Sequence, residues 1–158
     1  MKPSFRVLIL LGLLGGLLTP DAWGQKGKRK AEVSAEQAAE AERTFTEGMK
    51  FYVMEDYTRA LTMLEKALEL YPDNAGVHFA LAQTQQKLNN TDKALTYAEK
   101  AFVLDDDNRY YSELLAGLYQ KKHQYAEATK LYQVLAQKYS DNPEYTLELA
   151  AMHLQQEK

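Results

Sequence analysis

Small and large side chains recur along this chain at an interval of 34 residues. The interval divides it without gaps into blocks 41–74, 75–108 and 109–142, with a fourth block starting at Pro143. Position 8 of each block is small: Gly48, Ala82, Ala116 and Ala150. Position 20 is Ala60, Ala94 and Ala128, and position 27 is Ala67, Ala101 and Leu135. Larger residues mostly fill position 11 (Phe51, Gln85, Tyr119) and position 24 (Leu64, Ala98, Tyr132). Every block closes on the same turn: Asp73-Asn74, Asp107-Asn108 and Asp141-Asn142. Self-similarity at such a period marks a stack of supersecondary units, each needing its neighbours to bury its apolar face.

The pattern between the turns is helical and predicts helices over 34–53, 57–71, 75–88, 91–104, 109–121, 125–139 and 143–156. Ser34 and Gln37 form a capping-box signature at the first of these. Two antiparallel helices approach closely only where their side chains are small. Positions 8 and 20 therefore read as the contact points within each pair, and positions 11 and 24 as the filling around them. The Asp-Asn turn recurs because the helix pair recurs: it ends one second helix and starts the next pair.

These blocks resemble the tetratricopeptide repeat family over residues 41–158. The resemblance implies an all-α, right-handed superhelical solenoid of antiparallel helix pairs, about three and a half repeats long. Three departures stand out. Glu47 occupies position 7, where the family usually has an apolar residue. Gln85 replaces the aromatic at position 11, and only the first block has the closing proline, Pro72; Asp106 and Ser140 stand in the other two. Block two is on that account expected to pack more loosely than its neighbours.

In this family the first helix of each pair lines a concave face, through positions 2, 5, 9 and 12. The resemblance places Glu42, Phe45, Met49 and Tyr52 there from block one. Block two gives Gly76, Phe79, Gln83 and Gln86, and block three Tyr110, Glu113, Gly117 and Gln120; the fourth helix adds Leu147, Ala151 and Leu154. With the packing positions already filled, Phe45, Met49, Phe79 and Tyr110 read as surplus to the core and as the wall of a groove for a peptide or helix. The competing reading is that residues 34–40 fold over Phe45 and Met49 and finish the end of the stack. Family members that clamp a chaperone's C-terminal carboxylate use lysine, asparagine and arginine on this face. Phe45, Met49, Tyr110 and Leu114 stand at such positions here, so that clamp is not expected.

Composition narrows the rest. At 46% hydrophobic and 26% charged, the 158-residue chain is globular in make-up. Its formal net charge of −3 gives no call for nucleic acid. The absence of cysteine removes disulfides, thiolate zinc sites, cysteine nucleophiles and a lipoprotein anchor together. Residues 1–24 read as an export signal: Lys2 and Arg6, then the apolar run 7–18, then the small residues Ala22 and Gly24. Twelve helical residues span roughly 18 Å, short of a bilayer core of about 30 Å. Cleavage is expected after Gly24, leaving no stable membrane span and placing the protein in the periplasm or outside the cell. The alternative is an uncleaved anchor. Losing Lys2, Arg6 and Asp21 would move the net charge from −3 to −4, and Trp23, the single tryptophan, would go with them. Residues 25–33, with Lys26, Lys28, Arg29 and Lys30, read as a flexible basic leader.

Catalytic chemistry needs convergent groups, and His78, His123 and His153 fall in separate blocks, none with an i, i+4 partner. They read as surface residues. The acidic run 104–109 lacks the glycine and distal glutamate of a calcium loop and reads as a solvated connector. No cofactor, metal or enzymatic activity is expected. The fourth block has a first helix only, so Leu149 and Ala150 carry the face that a partner helix covers elsewhere. Further repeats, a partner protein or a second copy would meet it there. Two readings of function follow: an exported non-enzymatic scaffold that binds a protein or peptide, or the N-terminal repeat segment of a larger envelope protein.

Overall fold

The computed structural model describes residues 33–156. Seven helices occupy these residues: α1 (Ala35–Val53), α2 (Tyr57–Leu70), α3 (Ala75–Lys87), α4 (Thr91–Leu104), α5 (Arg109–Lys121), α6 (Tyr125–Lys138) and α7 (Pro143–Gln156). Each lies within about a residue of its expected bounds. The export signal and most of the basic leader lie outside the described residues.

The boundaries have local causes. Ser34 and Gln37 form the capping box at α1, with both of its hydrogen bonds at 3.1 Å. The asparagine of each Asp-Asn turn caps the helix after it. Asn74 Oδ1 accepts from the Val77 amide, Asn108 Oδ1 from Tyr110 and Asn142 Oδ1 from Glu144, all at 3.1 Å. One orphan amide is thereby satisfied at the start of every later first helix.

A second recurring device turns the chain inside each pair. Glu55, Asn89 and His123, one per repeat at position 15, adopt φ of 60°, 61° and 59°. Each ends its helix in a Schellman motif. The left-handed residue's amide bonds back to Tyr52, Gln86 or Gln120, and the next amide to Phe51, Gln85 or Tyr119, at 2.8–3.1 Å. No glycine marks these positions, and the sequence pattern does not reveal them.

Packing follows the expected register. Ala60, Ala94 and Ala128 are fully buried, as are Ala67, Ala101, Ala82 and Ala116. A Cβ on the buried Gly48 would lie 2.9 Å from Leu64 Cγ, so the closest approach of α1 to α2 requires glycine. Three clusters succeed one another along the stack. Leu64, Ala67, Val77, Ala80 and Leu81 join α2 to α3; Ala82, Ala94, Ala98, Leu115 and Leu118 join α3, α4 and α5. Ala116, Ala128, Tyr132, Leu135, Tyr145 and Met152 join α5, α6 and α7. Tyr97 borders the first two clusters, and Tyr119 and Leu131 the last two, so the core is continuous.

Block two is not loosely packed. Its first helix buries Val77, His78, Ala80, Leu81, Ala82, Thr84 and Gln85. Gln85 fills the aromatic's position because its carbonyl accepts from Asn90 Nδ2 at 2.9 Å, which ties the side chain into the turn. His78 is likewise not a surface residue: it is 6% exposed, and its ring lies 6.0 Å from that of Tyr97. His78 Nε2 donates to the Pro72 carbonyl at 2.9 Å, which fixes the tautomer and leaves Nδ1 buried without a partner. His123 and His153 are exposed, as expected.

Candidate functional site

The face expected to bind is built by α1, α3, α5 and α7, and its two ends differ. At the α1 end, Phe45 and Met49 are half-buried against Leu64, Ala67, Val77, Ala80 and Leu81. They are not surplus to the core: their inner surfaces belong to it. Tyr52 is half-buried and meets Tyr57 edge-on at 5.6 Å, within its own helix pair. In the middle, Phe79 packs on Tyr111 of α5 with ring centroids 4.9 Å apart, so consecutive first helices touch. Gln83 and Gln86 are half-buried beside it.

The other end is polar and connected. Tyr110 is 56% exposed, with the Arg109 guanidinium 4.8 Å from its ring centre. Glu113 accepts a hydrogen bond from the Tyr145 hydroxyl and lies 3.8 Å from Arg109. Gln120 Nε2 donates to Glu148 at 3.5 Å. These contacts bridge α5 to α7 beside a half-open cavity of about 290 Å³ lined by Arg109, Glu113, Tyr132, Asn142, Glu144, Tyr145 and Glu148. Burial, and then the carboxylates of Glu148, Glu113 and Glu144, push the Tyr132 hydroxyl up to about 12. Burial and the bond to Glu113 raise Tyr145 as well.

Of the residues picked out from the sequence, Glu113 and Gln120 come together with α7, whereas Phe45, Met49 and Tyr52 lie at the far end of the stack. Arg109, Tyr145 and Glu148 were missed. Tyr132 was assigned to packing alone. The signal lay in two hydroxyl-bearing aromatics at core positions next to an acid-rich helix. An apolar cleft of about 430 Å³ was missed too. It lies among the second helices, lined by Phe102, Val103 and Leu131 above Leu115 and Tyr119, and holds a 2.9 Å hydrogen bond from Tyr119 to Glu99. Among the described residues no cluster of histidine and acidic side chains has metal-binding geometry, and no helix is long and apolar enough to cross a membrane.

Comparison with known proteins decides the architecture. A tetratricopeptide repeat family profile matches residues 54–118, from the turn before α2 to the last turn of α5. The first such domain of Spaghetti (RPAP3), solved with an HSP90 peptide, superposes with a TM-score of 0.70 at 18% identity, over 77% of this chain and 96% of that one. The fold is a tetratricopeptide-repeat solenoid. The TPR2B domain of yeast Sti1, in a complex with Hsp70, gives 0.64 at 18% identity over 76% and 99%. The Yersinia enterocolitica type III secretion chaperone SycD, with a peptide of the translocator YopD, gives 0.67 at 17% over 79% and 98%. No curated protein matches the chain. At these identities the structural likeness concerns the solenoid alone.

Proposed function

We propose that this tetratricopeptide-repeat chain is an exported, non-enzymatic scaffold that holds a peptide or helix of another protein on the face of its first helices. The observation that carries the reading is where apolar surface is left open. Tyr110, Leu147 and Leu154 stand 56%, 69% and 63% exposed at three of the face positions, beside the half-buried Phe79, Gln83 and Gln86. Solved relatives of the same fold hold peptides. Arg109, a first-helix cation near this face, lies 3.8 Å from Glu113, which argues against its serving a carboxylate clamp.

Affinity capture from an envelope fraction with the full chain, repeated with a Tyr110→Ala, Leu147→Ala double variant, tests the reading. Both side chains are exposed, so the fold survives their loss, and the captured protein should be lost. Equal capture by both proteins would refute the face. Export rests on residues 1–24, and N-terminal sequencing of exported protein should begin at Gln25 with no tryptophan emission. A second reading, a repeat segment of a larger envelope protein, draws on Ala150. It is exposed, whereas Gly48, Ala82 and Ala116 at the same repeat position are buried under second helices. A following helix or a second copy would cover it, and sedimentation analysis separates a self-associating chain from a monomer.

A further inference from the structure

The geometry points to the cavity between α5 and α7 as a socket for one basic side chain, lysine or arginine, of the peptide bound on the first-helix face. This rests on the scaffold reading and names the chemistry of its ligand. Three carboxylates, Glu113, Glu144 and Glu148, line the cavity with one guanidinium, Arg109. Arg109 lies within ion-pair distance of Glu113 and stacks on Tyr110 and Tyr139, its guanidinium carbon 4.8 and 5.8 Å from the ring centres. Among the described residues neither Glu144 nor Glu148 has a cationic partner, and Glu148 accepts only the 3.5 Å bond from Gln120. The cavity therefore carries an excess of negative charge; Glu113 and Glu148 are half-buried, where charge interactions are screened less than at the exposed Glu144.

An acidic cluster alone would be no site, and a second feature points to a ligand. Tyr132 is 7% exposed and lines the cavity; its hydroxyl is open to that space and makes no hydrogen bond among the described residues. The carboxylates around it are acceptors for its O–H, and its oxygen stays free to accept from an N–H donor. An ammonium or guanidinium group supplies that donor to the Tyr132 oxygen and offsets Glu148 and Glu144. At about 290 Å³ the cavity lies at the small end of ligand sites and has room for a single side chain. Leu147, exposed beside Glu148 in sequence, offers the apolar contact for the flanking peptide residue.

The test is to pan a random nonapeptide phage library on the immobilised full chain, then on its Glu148→Gln, Tyr132→Phe and Arg109→Gln variants, each first shown to melt like the parent. The enriched peptides should carry lysine or arginine at one fixed position. A synthetic copy should bind Glu148→Gln at least tenfold more weakly and Tyr132→Phe several-fold more weakly. Arg109→Gln removes the competing cation and should bind it more tightly, a direction that loss of mere structural support would not give. Enriched peptides without a basic residue, or the same peptides on parent and Glu148→Gln, would overturn the socket and leave the scaffold standing. No enrichment on any of the proteins would sink both. Glu148-dependent binding of free spermidine, tighter than that of any enriched peptide, would overturn the peptide as the source of the cation.

Discussion

At the residue scale, two side chains carry consequences that can be measured. His78 is held neutral: burial lowers its pKa from 6.5, opposed in part by the bond to Pro72. Protonating Nδ1 would create a buried N–H with no acceptor. The folded chain thus binds this proton less readily than the unfolded chain. Stability is fully present above the unfolded value and falls as pH drops below about 6.5. Melting temperatures of the parent should decline between pH 7.5 and 5, and His78→Gln should flatten that decline relative to an exposed control, His123→Gln. The salt-bridged carboxylates of Glu40 and Asp56 have lowered pKa values, so their titration falls below this window. Gly48 gives a steric counterpart. A methyl group there meets Leu64 Cγ at 2.9 Å, in a buried seam. Gly48→Ala should cost about 1–3 kcal/mol by the usual magnitude of overpacking, despite alanine's better helix propensity; denaturant titration reads the sign. The need for a small residue at Gly48 was visible in the sequence, because position 8 is small in every block. The burial of His78 was not, since histidine at one position of one block carries no period.

At the scale of elements, the helices were legible because their ends are written in side chains. Asn74, Asn108 and Asn142 repeat at the block interval, and each caps the following helix through the same atom. The turns inside each pair were not legible. Glu55, Asn89 and His123 share a backbone conformation and no chemistry, because the Schellman bonds that hold them are made by the main chain. A left-handed conformation costs an ordinary residue roughly 1–2 kcal/mol. Asparagine tolerates it better than glutamate does. Glu55→Gly should therefore stabilise the chain by up to about 1 kcal/mol, and Asn89→Gly by less, in paired thermal melts. The order of the two gains matters more than their size. A larger gain at Asn89 would show that the turn's side-chain contacts, and not its backbone, set the cost. The candidate site divides along the same line. Its apolar members followed from the repeat register. Its polar end depends on which hydroxyls and carboxylates of α5, α6 and α7 meet in space, a pairing across more than 30 residues, as between Glu113 and Tyr145, that no short-range pattern encodes.

At the scale of the whole stack, each helix packs chiefly on the helices next to it in sequence, and the three core clusters connect only through shared border residues. Stability in such an array is close to a sum of units and their interfaces, so the reach of a lesion should depend on where it falls. Leu118 is fully buried where α3, α4 and α5 meet, and Met152 is as deeply buried where α7 meets α6. Truncating either to alanine removes comparable apolar volume and should cost about 2–5 kcal/mol of local packing. Their effects on amide exchange should differ. Met152→Ala loosens one interface, so faster exchange should be confined to α7 and the facing side of α6, with α1 to α4 unchanged. Leu118→Ala breaks the joint between the two halves and should speed exchange on both sides of it. If Met152→Ala instead lowered protection evenly from α1 to α7, the stack would be opening as one cooperative unit, and the α5–α7 cavity could not be loosened without unfolding the remainder. Localised loss would mean that the end carrying Arg109, Tyr132 and Glu148 can breathe independently, and a ligand bridging α5 and α7 would then slow exchange there more than anywhere else in the chain.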